Sequence, residues 1–172
     1  MMKAKFEQLY HELKNTIYNY LYYVVKDEQL AQDLSQETFL KIYLNLSRFR
    51  GESSIKTWSL VIARNVFLNH IRKKKPSLIE EKFIDLNVNN NDNIPEDMII
   101  KKENSELIKR VLFSLKEDDR TILILRDHEN LSYSEIGQIM DLSEVVVKSR
   151  IFRARSKYKE QYLKLSNSVE VV

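Results

Sequence analysis

Two groups of side chains in this sequence place hydrogen-bond donors and cations at spacings suited to a polyanion. Ile62, Asn65, Asn69 and Arg72 recur at offsets of zero, three, seven and ten, a single stripe along a helix. The stripe ends in Arg72-Lys-Lys-Lys75. Amides and a guanidinium in line can donate to phosphate oxygens and to base edges. A basic helix end complements the helix dipole, but four consecutive cations exceed what that needs. The second group is Lys148, Ser149, Phe152 and Arg153, at offsets of zero, one, four and five. Lys148 to Lys159 holds six basic residues and no acidic one. A third group has the opposite sign: Asp33, Gln36, Glu37 and Leu40 share one helical face. Carboxylates beside a protruding leucine suit a basic partner helix, and a solvated face with one stray leucine fits the same residues.

No catalytic constellation accompanies these groups. His11, His70 and His128 are scattered, no carboxylate cluster has metal-ligand spacing, and no glycine-rich phosphate loop occurs. A binding protein without catalytic residues, metal or cofactor is therefore expected. Zero cysteines exclude disulfides and fit a reducing compartment. Neither a signal-like apolar core nor a run of membrane-spanning length is present, so a cytoplasmic protein without direct membrane insertion is expected.

The elements that must position these residues are helical. Among 172 residues there are only two Gly and two Pro, too little punctuation for β-turns. Phe6, Leu9, Tyr10, Leu13, Ile17, Tyr20, Leu21 and Val24 recur at helical spacing over Lys3–Val25. Most tyrosines here lie on or beside that stripe, which fits a core with polar tips rather than a stacking platform. Asp27–Leu46 predicts a second helix with Leu34, Thr38, Ile42 and Leu46 inward and Phe39 and Tyr43 flanking. Gly51 and its neighbouring serines mark a loop. A third helix is expected over about Lys56–Lys74, buried through Trp58, Val61 and Phe67 or Leu68.

The C-terminal part predicts a helix-turn-helix. Ser132 and Glu135 have the spacing of a capping box, so a short helix should begin near Tyr133. Ile136, Ile139 and Met140 share its apolar face, and Gly137 would let a neighbouring helix approach closely. Asp141 stands where the chain must turn and tolerates αL. Ser143 can cap the next helix, with Glu144 in its first turn and Val147 and Ile151 inward. A short helix, a tight turn and a long basic helix form the motif that lays its second helix in the major groove, and an ordinary helical hairpin with a solvated basic face fits the same stretch. Helices over Pro95–Leu115 and from Asp118 or Asp119, the latter with Ile122, Leu123 and Leu125, complete a four-helix domain.

Charge divides the chain further. Net charge is only +3, but Ser53–Ile79 holds six bases and no acid, whereas Glu80–Glu106 holds eight acids against three bases. Two basic surfaces with an acidic join suggest two contacts on one polyanion. Pro76–Ile94 is asparagine-rich and aperiodic and is expected to be a linker. Fully extended it would reach on the order of 60 Å. The expected organisation is all-α: a helical domain over residues 1–75, a flexible linker over 76–94, a helix-turn-helix domain over 95–165 and a tail over 166–172.

Taken together the motifs resemble those of bacterial RNA polymerase sigma factors of the extracytoplasmic-function class, within the sigma-70 family. Asp27-Glu-Gln-Leu-Ala-Gln-Asp-Leu-Ser-Gln-Glu-Thr-Phe-Leu-Lys-Ile-Tyr43 is similar to the family's core-polymerase-binding helix. Phe49-Arg-Gly51 with Trp58-Ser-Leu-Val-Ile-Ala-Arg-Asn65 and Arg72-Lys-Lys resembles its promoter-melting and minus-ten-reading region. Leu131-Ser-Tyr-Ser-Glu-Ile136 with Val147-Lys-Ser-Arg-Ile-Phe-Arg-Ala-Arg155 resembles its minus-thirty-five reader. The resemblance implies that Asp33, Gln36, Glu37 and Leu40 dock on the clamp helices of the largest polymerase subunit, with the flap of the second largest as a further partner. It implies that Phe49, Arg50, Ser53, Ser54 and Trp58 hold a base flipped from the minus-ten element, beside Asn65, Asn69, Arg72 and Lys73. It implies that Lys148, Ser149, Phe152 and Arg153 face the minus-thirty-five element, with Arg150 and Arg155 on phosphates. An anti-sigma factor is a further implied partner.

Three positions depart from the family pattern. Asp141 replaces a usual Gly in the turn, Val145 and Val146 replace a usual Gly-Thr, and Leu115-Lys116 replaces Leu-Pro. The rival reading is a stand-alone helix-turn-helix transcriptional regulator. It accounts for the C-terminal domain but leaves the Asp33–Leu40 face and the Trp58–Lys75 stripe unused.

Overall fold

The computed structural model describes residues 2–74 and 96–169. Seven α-helices occur among them: α1 (Met2–Val25), α2 (Glu28–Asn45), α3 (Ile55–Lys74), α4 (Glu96–Ser114), α5 (Glu117–Leu123), α6 (Tyr133–Met140) and α7 (Glu144–Val169). The expected linker lies outside the described residues. α7 continues into the stretch read as a tail, as far as Val169.

The first module packs α1, α2 and α3 around the stripe read from the sequence. Ile17, Tyr20 and Leu21 on α1, Ile42 on α2, and Leu60 and Ala63 on α3 have no exposed surface. Phe67, rather than Leu68, is the buried member of its pair, and Trp58 is half-buried. Tyr43 flanks the core less closely than expected and is 38% exposed. A two-residue turn joins α1 to α2. Lys26 adopts φ 60°, and the Asp27 carboxylate caps α2 by accepting from Leu30 N at 2.8 Å. A three-residue 3-10 turn (Leu46–Arg48) ends α2.

In the second module α4, α5 and α6 pack against α7. α6 opens on the full capping box: the Ser132 hydroxyl accepts from Glu135 N at 3.1 Å, and the Glu135 carboxylate accepts from Ser132 N at 2.9 Å. Asp141 takes the αL conformation at φ 56°, as its type allows. Leu142 N then returns to Gly137 O at 2.9 Å. That closure, rather than a neighbouring helix, is what requires Gly137. A Cβ there would stand 2.5 Å from the carbonyl oxygen of Leu142.

The two modules are docked. Their apolar cores join into one cluster, with α1 against α5 and α3 against α6. Arg120, 3% exposed, donates Nε to Tyr23 O at 2.5 Å and Nη2 to Val24 O at 3.0 Å. Its Nη1 donates to Leu115 O at 2.7 Å. Burial pulls this guanidinium down to about 10, so it remains a cation at neutral pH. In return Lys26 Nζ donates to Phe113 O at 2.6 Å. Each module therefore supplies a cation to the C-terminal carbonyls of a helix in the other, where the dipole favours positive charge. Lys56 Nζ adds a bond to Glu129 Oε2 at 2.8 Å, and Arg64 lies 3.7 Å from Glu117 and 3.8 Å from Asp118.

Gly137→Ala is expected to lower unfolding stability by about 1–3 kcal/mol, because the Leu142 carbonyl is backbone and cannot swing aside. Denaturant titration of the full chain measures this.

Candidate nucleic-acid interface

The α2 face assembles as expected. Asp33, Gln36, Glu37 and Leu40 are all exposed, Leu40 at 59%. Glu37 pairs with Lys41 at 3.1 Å, and Asp33 accepts from Gln29 at 3.2 Å. Leu44, 63% exposed and four residues past Leu40, extends the same face. Sequence reasoning missed it, although the four-residue spacing was legible. An open groove between α1 and α2, about 810 Å³, adjoins this face through Gln36 and Leu40 and is lined by Phe6, Tyr10, Phe39 and Tyr43.

On α3 the stripe of Asn65, Asn69, Arg72 and Lys73 is exposed along its length, with Ile62 half-buried within it. The cationic end acts on His70, held below its ordinary value by burial and then by Lys74 and, more weakly, Lys73. In the preceding loop Phe49 packs on Trp58 with ring centroids 5.1 Å apart, and Gly51 takes φ 74°. Arg50 and Ser54 are exposed and Ser53 is half-buried. Ser54 also caps α3, its hydroxyl accepting from Thr57 N at 3.0 Å. A pocket of about 270 Å³ opens between the end of α2 and α3, lined by Lys41, Asn45, Arg48, Trp58, Ile62 and Asn65. Trp58 and Asn65 were anticipated here. Lys41, Asn45 and Arg48 were not, since only the folded turn after α2 brings them opposite α3.

On α7, Val147, Ile151 and Ala154 are buried against the module, and Lys148, Ser149, Phe152 and Arg153 project outward. Lys148 and Arg153 form no ion pair among the described residues. Arg150 and Arg155, expected on phosphates, are occupied by their own module: Arg150 lies 3.4 Å from Asp118, and Arg155 pairs with Asp127. Lys157 likewise pairs with Asp119 at 2.5 Å. The Arg150–Asp118 and Arg155–Asp127 pairs are open to solvent, and such pairs contribute only about 0–1 kcal/mol, so a phosphate can displace the carboxylate there.

The docked modules also tie one surface to the other. Glu135 of the capping box accepts from Thr57 Oγ1 at 3.0 Å and from Ser54 Oγ at 3.4 Å. Its carboxyl is held below the ordinary value, foremost by the Ser132 backbone N–H and, against the opposing effect of burial, by the Thr57, Ser132 and Ser54 hydroxyls. Both cationic surfaces remain outside the shared core. Among the described residues no helix is long and apolar enough to cross a membrane, and no cluster could hold a metal ion.

Comparison with known proteins covers both modules. The Sigma-70 region 2 family model matches residues 9–76, and the Sigma-70 region 4 model matches residues 105–157. The chain is 33% identical over 165 residues to RNA polymerase sigma factor YlaC of Bacillus subtilis (strain 168), covering 92% of each chain. It is 32% identical over 157 residues to the ECF RNA polymerase sigma factor SigM of the same organism, covering 91% of this chain and 94% of the relative. A co-crystal structure of the sigma factor RpoE with the anti-sigma factor NepR from Bartonella quintana superposes with TM-score 0.72. The match there is 23% identical and covers 91% of this chain and 96% of the other, a likeness of fold.

A depressed carboxyl stabilises the folded form above the ordinary carboxylate range and loses that contribution as pH falls through its folded value. Glu135→Gln is therefore expected to lower stability at neutral pH, with the gap to the parent chain closing as pH falls below the ordinary value of 4.5. Denaturant titrations at stepped pH check the sign.

Proposed function

From the premise that this chain belongs to the sigma-70 family, in its extracytoplasmic-function class, we propose how its surfaces divide the work of promoter-specific transcription initiation. The face of Asp33, Gln36, Glu37, Leu40 and Leu44 docks on core RNA polymerase, its carboxylates meeting the basic side of the clamp helices. The flap of the second largest subunit carries the second module. Support comes from two neighbouring leucines exposed at 59% and 63% amid carboxylates, a pairing a purely solvated face does not need.

The pocket beside Trp58 takes a base flipped from the minus-ten element. Unstacking costs a few kcal/mol, which the indole and the Asn45, Arg48 and Asn65 donors offset. The Phe49–Ser54 loop, with Arg50 and Ser53, closes one side. Asn69, Arg72 and Lys73 follow the adjoining backbone. Lys148, Ser149, Phe152 and Arg153 enter the major groove at the minus-thirty-five element, and Arg150 and Arg155 exchange Asp118 and Asp127 for phosphates.

Two promoter elements tens of ångströms apart cannot both be read while the modules stay docked. The Arg120, Lys26 and Glu135 contacts therefore open when polymerase takes the two modules separately. An anti-sigma factor is a natural competitor for the freed faces; a relative in fold, RpoE, is held by NepR. The chain works as a binding factor rather than an enzyme.

Glu37→Lys is expected to abolish capture by core polymerase while leaving helix content unchanged, since Glu37 is exposed and its Lys41 pair contributes little. Pull-down with core polymerase and circular dichroism test this together, and retained capture contradicts the docking face.

A further inference from the structure

The two most exposed large apolar side chains among the described residues both lie on α7: Val145 at 80% and Phe152 at 76%. Val146, at 38%, stands beside them. Exposed β-branched residues in a first turn help neither the helix nor its solvation. Ser143 caps this turn by accepting from Val146 N at 3.4 Å, so the backbone sets no demand for valine.

Their placement is ordered. With Val147, Ile151 and Ala154 defining the buried side, a turn of 3.6 residues puts Val145, Ser149, Phe152 and Ser156 about opposite. That outward stripe carries no charge. Lys148 and Arg155 flank it on one side, Arg150 and Arg153 on the other. An uncharged strip, apolar at Val145 and Phe152, between two cationic margins matches a major groove, whose walls are phosphates and whose floor presents one apolar group, the 5-methyl of thymine. Val145 to Phe152 spans seven residues, about 10.5 Å of helix, or about three base-pair steps.

We propose that Val145 and Phe152 read thymine methyl groups in the minus-thirty-five element, making Val145 a specificity-determining residue of this chain. Val146, turned toward the Arg153 margin, packs on the sugar edge beside them. The inference rests on α7 being the duplex-reading helix. It names which bases that helix prefers.

The test uses holoenzyme assembled from the full chain and core polymerase, on a promoter selected from genomic fragments by run-off transcription. Each minus-thirty-five thymine is replaced in turn by deoxyuridine, which removes the methyl and keeps the O4 acceptor and pairing. One or two neighbouring replacements are expected to lower promoter affinity roughly fourfold each, the worth of one buried methyl-sized group. Val145→Ser, at a position too exposed to threaten folding, is expected to abolish the loss at one position and leave the other. A flat uracil scan on a promoter whose opening still depends on Arg153 overturns the methyl reading and leaves the family reading standing. The same follows if Val145→Ser weakens thymine and uracil promoters equally, as a protein-covered stripe would. Failure to open any promoter with core polymerase strikes both readings.

Discussion

A helix leaves its last carbonyls without partners inside the helix, and here two such ends are completed from the opposite module. Arg120 donates to the end of α1, and Lys26 donates to the end of α4. Hydrogen bonds to charged groups contribute about 1.5–3 kcal/mol each, and an unsatisfied buried carbonyl costs about as much. Lys26 holds φ 60°, a conformation glycine would adopt freely and a lysine at a cost on the order of 1–3 kcal/mol. The side chain that glycine lacks is the one that reaches Phe113. The join thus combines a few directional polar contacts with an apolar cluster that both modules share.

The same economy holds at the nucleic-acid surfaces. Asp118, Asp119 and Asp127 neutralise Arg150, Lys157 and Arg155, with Asp118 and Asp127 open to solvent and Asp119 half-buried. These pairs stabilise little, but they hold cations that would otherwise repel one another and release them to a stronger polyanion. Binding through such cations depends steeply on salt, because counterions leave with each phosphate contact. Lys148 and Arg153 stand outside any such pair among the described residues and are exposed.

What the sequence made legible was local. The Ser132–Glu135 box, the αL turn at Asp141, the buried stripe of α1 and the inward Val147 and Ile151 follow from spacing and residue type, and all stand in the fold. What stayed hidden depends on partners distant in sequence. Arg120 is one more cation among many until the end of α1 is placed beside it. Lys41, Asn45 and Arg48 gain a shared pocket only when the 3-10 turn folds them toward α3. Gly137 signals from sequence only that some backbone approaches closely, and in the fold it is the chain's own turn at Leu142 that does so. Leu44 was legible and overlooked: it repeats Leu40 one turn on.

Two modules that rest against each other in the free chain must part to reach two promoter elements on polymerase. The chain has no cysteine, so single cysteines placed at exposed Glu12 on α1 and Gln138 on α6, both outside the proposed contact surfaces, can carry a donor and acceptor dye without background labelling. Energy transfer between them is predicted to be a single high-efficiency state in the free chain and to fall sharply when core polymerase and promoter are added. Arg120→Ala should broaden the free-chain distribution toward the lower value. Transfer efficiency that stays unchanged in a promoter complex competent for transcription would contradict the separation of the modules.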